Sequence, residues 1–346
     1  MAKKHPAKNS IIFISVILAL VAFVGCEANS EKQQTAGVSA DNSANNDLKA
    51  EATKIILEGL SSRNPQVRVN AIEMAAATNN QQFMAGVQRL TKDELVLIRF
   101  AAAVAIGDAK YSAAKNDVSQ LLKDRDENVR LAADYAIVML GGPKSYARQI
   151  RAALTGNDQQ IRANAAFLLG KIGDKDVLPL LYKLIQDEAS DDKVRLNAIE
   201  AIARLGDEKI YKKLLATLIS AYADDRVFGI RAMGALGTSQ AKDSLFTMLK
   251  DDVPEVRLMA AEQLGYLGDS AGEKVVVNAL THDVSAATDQ EAKAQIQTLA
   301  AMAIGQIRTP PLKKFLPELL KSDSPFARIA AAKAVFQCAK KNNIGR

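Results

Sequence analysis

The stretch Ile161-Arg162-Ala163-Asn164-Ala165-Ala166-Phe167-Leu168-Leu169-Gly170-Lys171-Ile172-Gly173-Asp174 sets apolar residues at 161, 165, 168, 169 and 172. That three-to-four spacing is one face of a helix. Its small alanines let a neighbouring helix approach closely. Gly173 offers the left-handed conformation that commonly ends a helix, and Asp174 can accept hydrogen bonds from the first amides of the next one. A second helix follows, with Val177, Leu180, Leu181, Leu184 and Ile185 on one face. The unit is therefore helix, tight turn, helix.

The unit recurs. An apolar residue followed by arginine opens an Ala-rich run at Val67-Arg68, Ile98-Arg99, Val129-Arg130, Ile161-Arg162, Val194-Arg195 and Val256-Arg257. Degenerate copies stand at Asp225-Arg226, Ile296-Gln297 and Ala327-Arg328, and successive spacings are 31, 31, 32, 33, 31, 31, 40 and 31 residues. A period this steady means stacked supersecondary units and not one globular core. The turn chemistry repeats as well. Gly-Asp returns at Gly107-Asp108, Gly206-Asp207 and Gly268-Asp269, and Asp126, Asp191, Pro65, Pro254 or Pro325 precedes a first helix. Proline suits a first helical turn, where its missing N–H is not needed. No strand alternation interrupts the pattern. The expectation is an all-α solenoid of about nine repeats over residues 49–342, followed by a short tail, 343–346.

The pattern Asp/Pro-x-x-Val-Arg-x-x-Ala-x-x-Ala-Leu-Gly-x-(Leu/Ile)-Gly-Asp, clearest from Val194 to Asp207 and from Val256 to Asp269, resembles the HEAT repeat. It is most similar to the short HEAT-like repeats of the phycobilin lyase type. The likeness runs from about Glu51 to Lys341. It implies a right-handed α-solenoid with first helices on the convex side and second helices on the concave side. It also implies that Arg68, Arg99, Arg130, Arg162, Arg195, Arg226, Arg257 and Arg328 pair with acidic groups of adjacent repeats. Gln297 lacks the charge, and Asp225 and Gly229 replace apolar positions in the sixth unit. An insertion around Asp283 to Glu291 stretches the seventh interval and is expected to form a protruding loop.

The N-terminus reads as an export signal. Lys3, Lys4 and Lys8 precede an apolar run from Ile11 to Val24, broken only by Ser15. That run is short for a membrane-spanning helix, which wants roughly 20 residues, and suits a signal peptide. Phe23-Val24-Gly25-Cys26 resembles a bacterial lipoprotein processing box, although Phe23 stands where leucine is usual. The resemblance implies cleavage after residue 25 and lipid on Cys26. A conventionally cleaved signal and an uncleaved anchor are the alternatives. Glu27 is not the Asp that resembles an inner-membrane retention signal, so the expected place is the outer membrane, facing the periplasm, if the envelope is Gram-negative. Residues 26–48 are polar and are read as a flexible tether, with a root-mean-square reach of about 25 Å.

Charge argues against nucleic acid as a partner. The chain carries 45 basic and 39 acidic residues; without Lys3, Lys4 and Lys8, 42 remain against 39, a formal +3. That balance is too even to argue for nucleic acid by itself, and export makes such a partner less expected still. With Cys26 lipidated, Cys338 has no intramolecular partner, and its spacing places it on the apolar face of the last helix as a buried, inert thiol.

Catalytic residues are scarce. His282 is the single histidine outside the signal segment, so a two-histidine metal site is impossible, and a helix-end role complementing the dipole accounts for it. The acidic pairs Asp191-Asp192, Asp224-Asp225 and Asp251-Asp252 are read as standing just before a first helix, where capping explains them without calcium. No catalytic residue, cofactor or metal is expected.

One feature points to binding. Second helices carry Lys115, Arg148, Lys212, Lys213, Lys242, Lys274, Lys313 and Lys314, at 16 to 18 positions after the repeat arginine (Gln297 in the eighth unit). Tyr146, Tyr211, Phe246 and Phe315 lie on the same helices. On a concave face these would form a basic stripe for an acidic protein segment, peptide or anionic polymer; an ordinary solvated face is the plainer alternative. The function expected is an exported, membrane-tethered, non-catalytic scaffold for protein or peptide partners. A subunit of a bilin-lyase-like enzyme or chromophore chaperone, and a structural envelope spacer, are its rivals.

Overall fold

The computed structural model describes residues 38–78, 80–287 and 289–339. The signal segment, Cys26, the start of the tether and the 343–346 tail lie outside them. Within them the regular structure is entirely helical, and no helix is long and apolar enough to cross a membrane.

A leading helix, α1 (Val38–Leu60), precedes the repeats. The pairs are α2 (Pro65–Thr78) with α3 (Gln81–Arg89), α4 (Val96–Asp108) with α5 (Lys115–Leu121), α6 (Glu127–Met139) with α7 (Ser145–Ala153), and α8 (Gln159–Ile172) with α9 (Leu178–Gln186). Next come α10 (Asp192–Arg204) with α11 (Tyr211–Leu218), and α12 (Ala223–Leu236) with α13 (Ser239–Met248). In the seventh repeat α14 (Pro254–Tyr266) pairs with α15 (Glu273–Asn278) and α16 (Val284–Ala286); in the eighth, α17 (Gln290–Ile307) pairs with α18 (Pro310–Lys313) and α19 (Leu316–Leu319). The ninth first helix is α20 (Pro325–Ala339).

Local chemistry sets these boundaries. Asp126, Asp158 and Asp191 accept backbone N–H bonds at the starts of α6, α8 and α10. Gly173, with φ of 84°, ends α8 in the left-handed conformation, which costs glycine no Cβ clash. Two expectations change. Val38 to Leu48, read as tether, is the first part of α1: Ala52, Ile55, Ile56 and Leu60 of that helix are buried, and a helix anchored by such packing propagates at one hydrogen bond per added residue. The insertion near Asp283 to Glu291 forms no protruding loop. A π turn at Ala279–Asp283 carries α15 into α16, and α17 begins early at Gln290, capped by Asp289.

The nine first helices pack side by side in chain order, and the last returns to the first: α20 lies against both α1 and α2. The solenoid is a closed ring. Phe83 of α3 meets Phe336 of α20 edge to face, centroids 5.3 Å apart. At Gly59 of α1 a Cβ would stand 2.9 Å from the Ala71 Cβ and 3.1 Å from Ile329 Cδ1, so the seam is closely packed. The second helix missing after α20 is supplied by α1. The first and ninth repeats are thus sewn together from opposite ends of the chain, and the apolar core runs without a break from Ala52 to Val335.

The first helices form the inner wall of this ring, the reverse of the convex placement that the resemblance implied. Lys171 of α8 reaches Asp108 of α4 at 3.0 Å, past the intervening α6, which only a concave wall permits. Side-chain size explains the direction of bending. First helices approach one another across alanine and glycine: a Cβ on Gly170 would lie 2.7 Å from the Ala201 Cβ and 2.8 Å from its Cα. The leucine- and tyrosine-bearing second helices stand farther apart, outside.

Candidate functional site

The repeat arginines line the rim formed by the N-terminal ends of the first helices. Where the residue 25 positions on is aspartate, the guanidinium crosses to it. Arg99 Nε and Nη2 donate to Asp124 at 2.8 and 2.9 Å, and Arg226 makes the same fork to Asp251 at 2.8 Å twice. Arg162 reaches Asp187 at 2.6 Å and Arg68 reaches Asp93 at 3.5 Å, while Arg257 meets Asp283 at 2.7 Å. Where Thr155 or Ser220 stands instead, Arg130 and Arg195 turn to the carbonyls of Asp124 and Asp187. Arg328 donates to the Ser322 carbonyl, and Gln297 accepts from the Ser322 hydroxyl at 2.7 Å. Burial is the largest single influence and would raise Asp124 and Asp251, but the arginine bonds, the backbone N–H bonds and the nearby positive charge together hold both below the usual carboxylate range. Arg162 does the same to the half-buried Asp187. The ladder ties each repeat's first helix to the loop that leads into the next.

The second-helix basic residues are on the outside of the ring and not in a groove. Lys115, Arg148, Lys212, Lys213, Lys274, Lys313 and Lys314 are exposed. Lys242 is half-buried, pairs with Asp269 at 2.9 Å and lies 5.9 Å from the centre of the Phe246 ring. Tyr146, Tyr211, Phe246 and Phe315 pack against the core. Geometry therefore spreads these residues around a convex surface, because the inner wall belongs to the other helix set.

Leu95 and Leu97 at the start of α4 and Leu196 of α10 are exposed, but the most exposed large apolar side chains among the described residues gather at the end of α11. Ile219 is 81% exposed and Tyr222 74%, with Leu215 at 42%. Leu215 and Ile219 share a helical face with Lys212, at i, i+3 and i+7, and Lys213 adjoins it. Exposed apolar side chains are ordinary singly and informative in a group. They lead into the sixth repeat, whose Asp225 is held by Ser220 at 2.6 Å where the other repeats bury an apolar residue.

The remaining expected residues have structural surroundings. His282 sits exposed on the π turn, its Nδ1 2.7 Å from the Thr281 hydroxyl. Asp191 caps α10, Asp224 and Asp225 lie in the first turn of α12, and Asp251 and Asp252 hold Arg226. No group of three or more potential metal ligands occurs among the described residues. Cys338 is half-buried with its Sγ 3.9 Å from the Ile304 carbonyl, and burial pushes its thiol up.

The inner wall holds what sequence reasoning missed. The sixth residue after each repeat's apolar position is Glu73, Val104, Tyr135, Phe167, Glu200, Arg231, Glu262, Met302 and Lys333 in turn. These positions face the ring axis. One turn on, the tenth position adds Asp108, Lys171 and Arg204. With neighbouring axes 8–10 Å apart, nine helices set their axes about 13 Å from the centre, so long side chains nearly meet. Asp108 accepts from Tyr135 Oη at 2.5 Å and pairs with Lys171, whose Nζ is 5.4 Å from the centre of the Phe167 ring. Glu200 takes Arg204 at 2.9 Å and Arg231 at 2.8 Å. The charge on Glu73 is felt by Lys333, Lys171, Arg231 and Asp108, from four other helices of the ring. Burial nevertheless dominates and pushes its carboxyl up to about 8. The signal for this wall was present in the sequence: a charge recurring at one position of otherwise apolar helices.

Fold and inner wall together define a helical-repeat protein closed on itself. A family model for HEAT repeats matches residues 53–138, 147–228 and 211–299, most of the chain. The chain belongs to the HEAT-repeat family. No curated protein matches it in sequence. Among solved structures it is similar to the complex of CpcE and CpcF of phycocyanin lyase from Nostoc sp. PCC7120, at 18% identity over 81% of this chain and 98% of that one, TM-score 0.43. It is also similar to human deoxyhypusine hydroxylase, at 17% identity over 85% and 98%, TM-score 0.35. Neither likeness extends to function.

Proposed function

We propose that this HEAT-repeat ring is an exported, lipid-anchored, non-catalytic scaffold that docks a protein or peptide partner on its outer face at Leu215, Ile219 and Tyr222. The carrying observation is the exposure of Ile219 and Tyr222 beside Lys212 and Lys213. An apolar anchor with a basic border suits a partner segment that carries an apolar side chain and acidic neighbours. The export signal and Cys26 support a place at the bacterial envelope, with the ring held near the membrane by what precedes α1. The concave groove imagined from sequence is not needed for this reading.

The test is site-specific photocrosslinking in cells of the full chain. A photoreactive residue at 219 or 222 is expected to give one discrete adduct, and the same group at 115, a third of the way round the ring, none. Ile219→Ser with Tyr222→Ser should abolish an adduct formed from position 212. Equal adducts at every position, or none at 219 and 222, would sink the docking surface. Cys26→Ala is expected to release the protein from the membrane fraction; retention there refutes the lipid anchor independently.

A further inference from the structure

The arginine rim has one rung missing. Eight of the nine repeats carry arginine at that position, and its guanidinium bonds an adjoining loop. In the eighth repeat the residue is Gln297. The position 25 residues on, aspartate at Asp93, Asp124, Asp187 and Asp251, is there Ser322. Both members of the ion pair are thus replaced together. The shorter Gln297 amide is engaged by the Ser322 hydroxyl at 2.7 Å. Arg328 holds the same loop through the Ser322 and Asp323 carbonyls, but among the described residues no arginine lines the space beside Gln297.

That space is a cleft of about 680 Å³ between the first turns of α17 and the loop that leads into α20. Two other rim clefts contain the chain's own arginine and are smaller, about 500 Å³ at Arg68 and about 370 Å³ at Arg162. The lining has also changed sign. At 21 residues after the repeat arginine, the seven earlier repeats are basic at Arg89, Arg151 and Lys183 and uncharged in the other four; the eighth has Glu318. Glu291 and Asp323 join Glu318 on the wall, against Lys293 and Lys321, so three acids face two bases and one negative charge is in excess. The three acids are exposed, and no ion pair joins them to another described residue. Phe326, half-buried, completes the wall.

We propose that this cleft binds a guanidinium group brought by a ligand, an arginine side chain that completes the rim from outside. The ring itself supplies the precedent, since at Arg99 and Arg226 the equivalent place is filled by a guanidinium forked onto a carboxylate. Glu318 and Asp323 receive its N–H groups, and Phe326 its flat face. A planar fork of five donors suits carboxylates and an aromatic ring together, where an ammonium offers only a point charge. One guanidinium also supplies the single positive charge that the wall lacks. The site lies between the eighth and ninth repeats, apart from Leu215, Ile219 and Tyr222, and does not rest on their role.

The experiment is a saturation-transfer NMR titration of the full chain with Nα-acetyl-arginine amide and with free L-arginine. The Nα-acetyl amides of lysine and of citrulline serve as controls, the second being a neutral mimic of the guanidinium. At least one arginine compound is expected to bind about fivefold or more tighter than either control. Tighter binding of the capped compound points to an arginine within a polypeptide, and tighter binding of the free one to the amino acid; both support the site. Gln297→Arg places the chain's own guanidinium in the cleft and should abolish binding, and Glu318→Gln should weaken it about fivefold. Absence of saturable binding by both arginine compounds overturns the proposal. So does equal binding of the lysine or citrulline compound, or unchanged affinity in both variants. Glu318 is exposed, so its variant keeps the test decisive if Gln297→Arg fails to fold.

Discussion

Glu73 and the rim aspartates respond to pH with opposite signs. Asp124, Asp187 and Asp251 titrate below the usual carboxylate range in the folded ring. Their contribution is complete above the unfolded value near 3.8 and is lost as pH falls through the folded values. Glu73 is raised from 4.5 to about 8, and Asp134, buried against α7 near Gln149, from 3.8 to about 7. Each binds a proton in the folded ring that the unfolded chain has released, so each subtracts stability as pH climbs from its unfolded to its folded value. Melting temperature is therefore expected to fall between about pH 5 and pH 8, and Glu73→Gln to flatten that fall. A variant whose pH profile matches the parent's would show that Glu73 is not the buried titrating group. Lys333, held low by burial against Glu262 and Glu73, works in the other direction at higher pH.

At the scale of elements, the fold rests on how near one first helix can come to the next. Gly170 lies against the backbone of Ala201 on α10, with its own place for a Cβ filled to 2.8 Å from the neighbouring Cα. Backbone cannot yield as a flexible side chain does. Gly170→Ala is expected to cost about 1–3 kcal/mol through overpacking, read as a lowered denaturation midpoint with the slope unchanged. At Gly173 the cause differs, since nothing lies within 4 Å of a Cβ there and the penalty comes from a φ of 84°. Most helices, turns and caps were legible in the repeats, because local periodicity and turn chemistry are written within each unit; at Gly107-Asp108, however, α4 runs on through the pair and Lys110, at φ of 48°, takes the left-handed position. The outward direction assigned to the first helices was not, because curvature depends on the relative widths of two helix layers. The seventh interval shows the same limit: nine extra residues suggest a loop, but the additional hydrogen bonds of a longer α17 and a π turn absorbed them.

For the whole molecule, closure changes the thermodynamics. An open solenoid frays from its ends, each repeat depending on its neighbours alone. Here α1 covers α20 and α2, burying Ile56 and Ile329 and bringing Phe83 to Phe336. Deleting residues through Leu60 is expected to open the ring. Small-angle scattering should then give a larger radius of gyration, and the unfolding transition should broaden into separable steps. An unchanged radius would mean that α2 and α20 hold the ring without α1.

By itself the sequence determined the repeat, its helices, their caps and the arginine rim, since each of these depends on residues within about one period of one another. It also held the charges at the sixth position of the first helices, although nothing local says that those positions face each other. Tertiary structure alone decided that the last described helix returns to the first, that the first helices of the repeats line the interior, and that the lysine stripe lies outside. Those outcomes sum small angles over nine repeats. A slight change of tilt in each unit separates an open spiral from a ring, and no single repeat encodes the total.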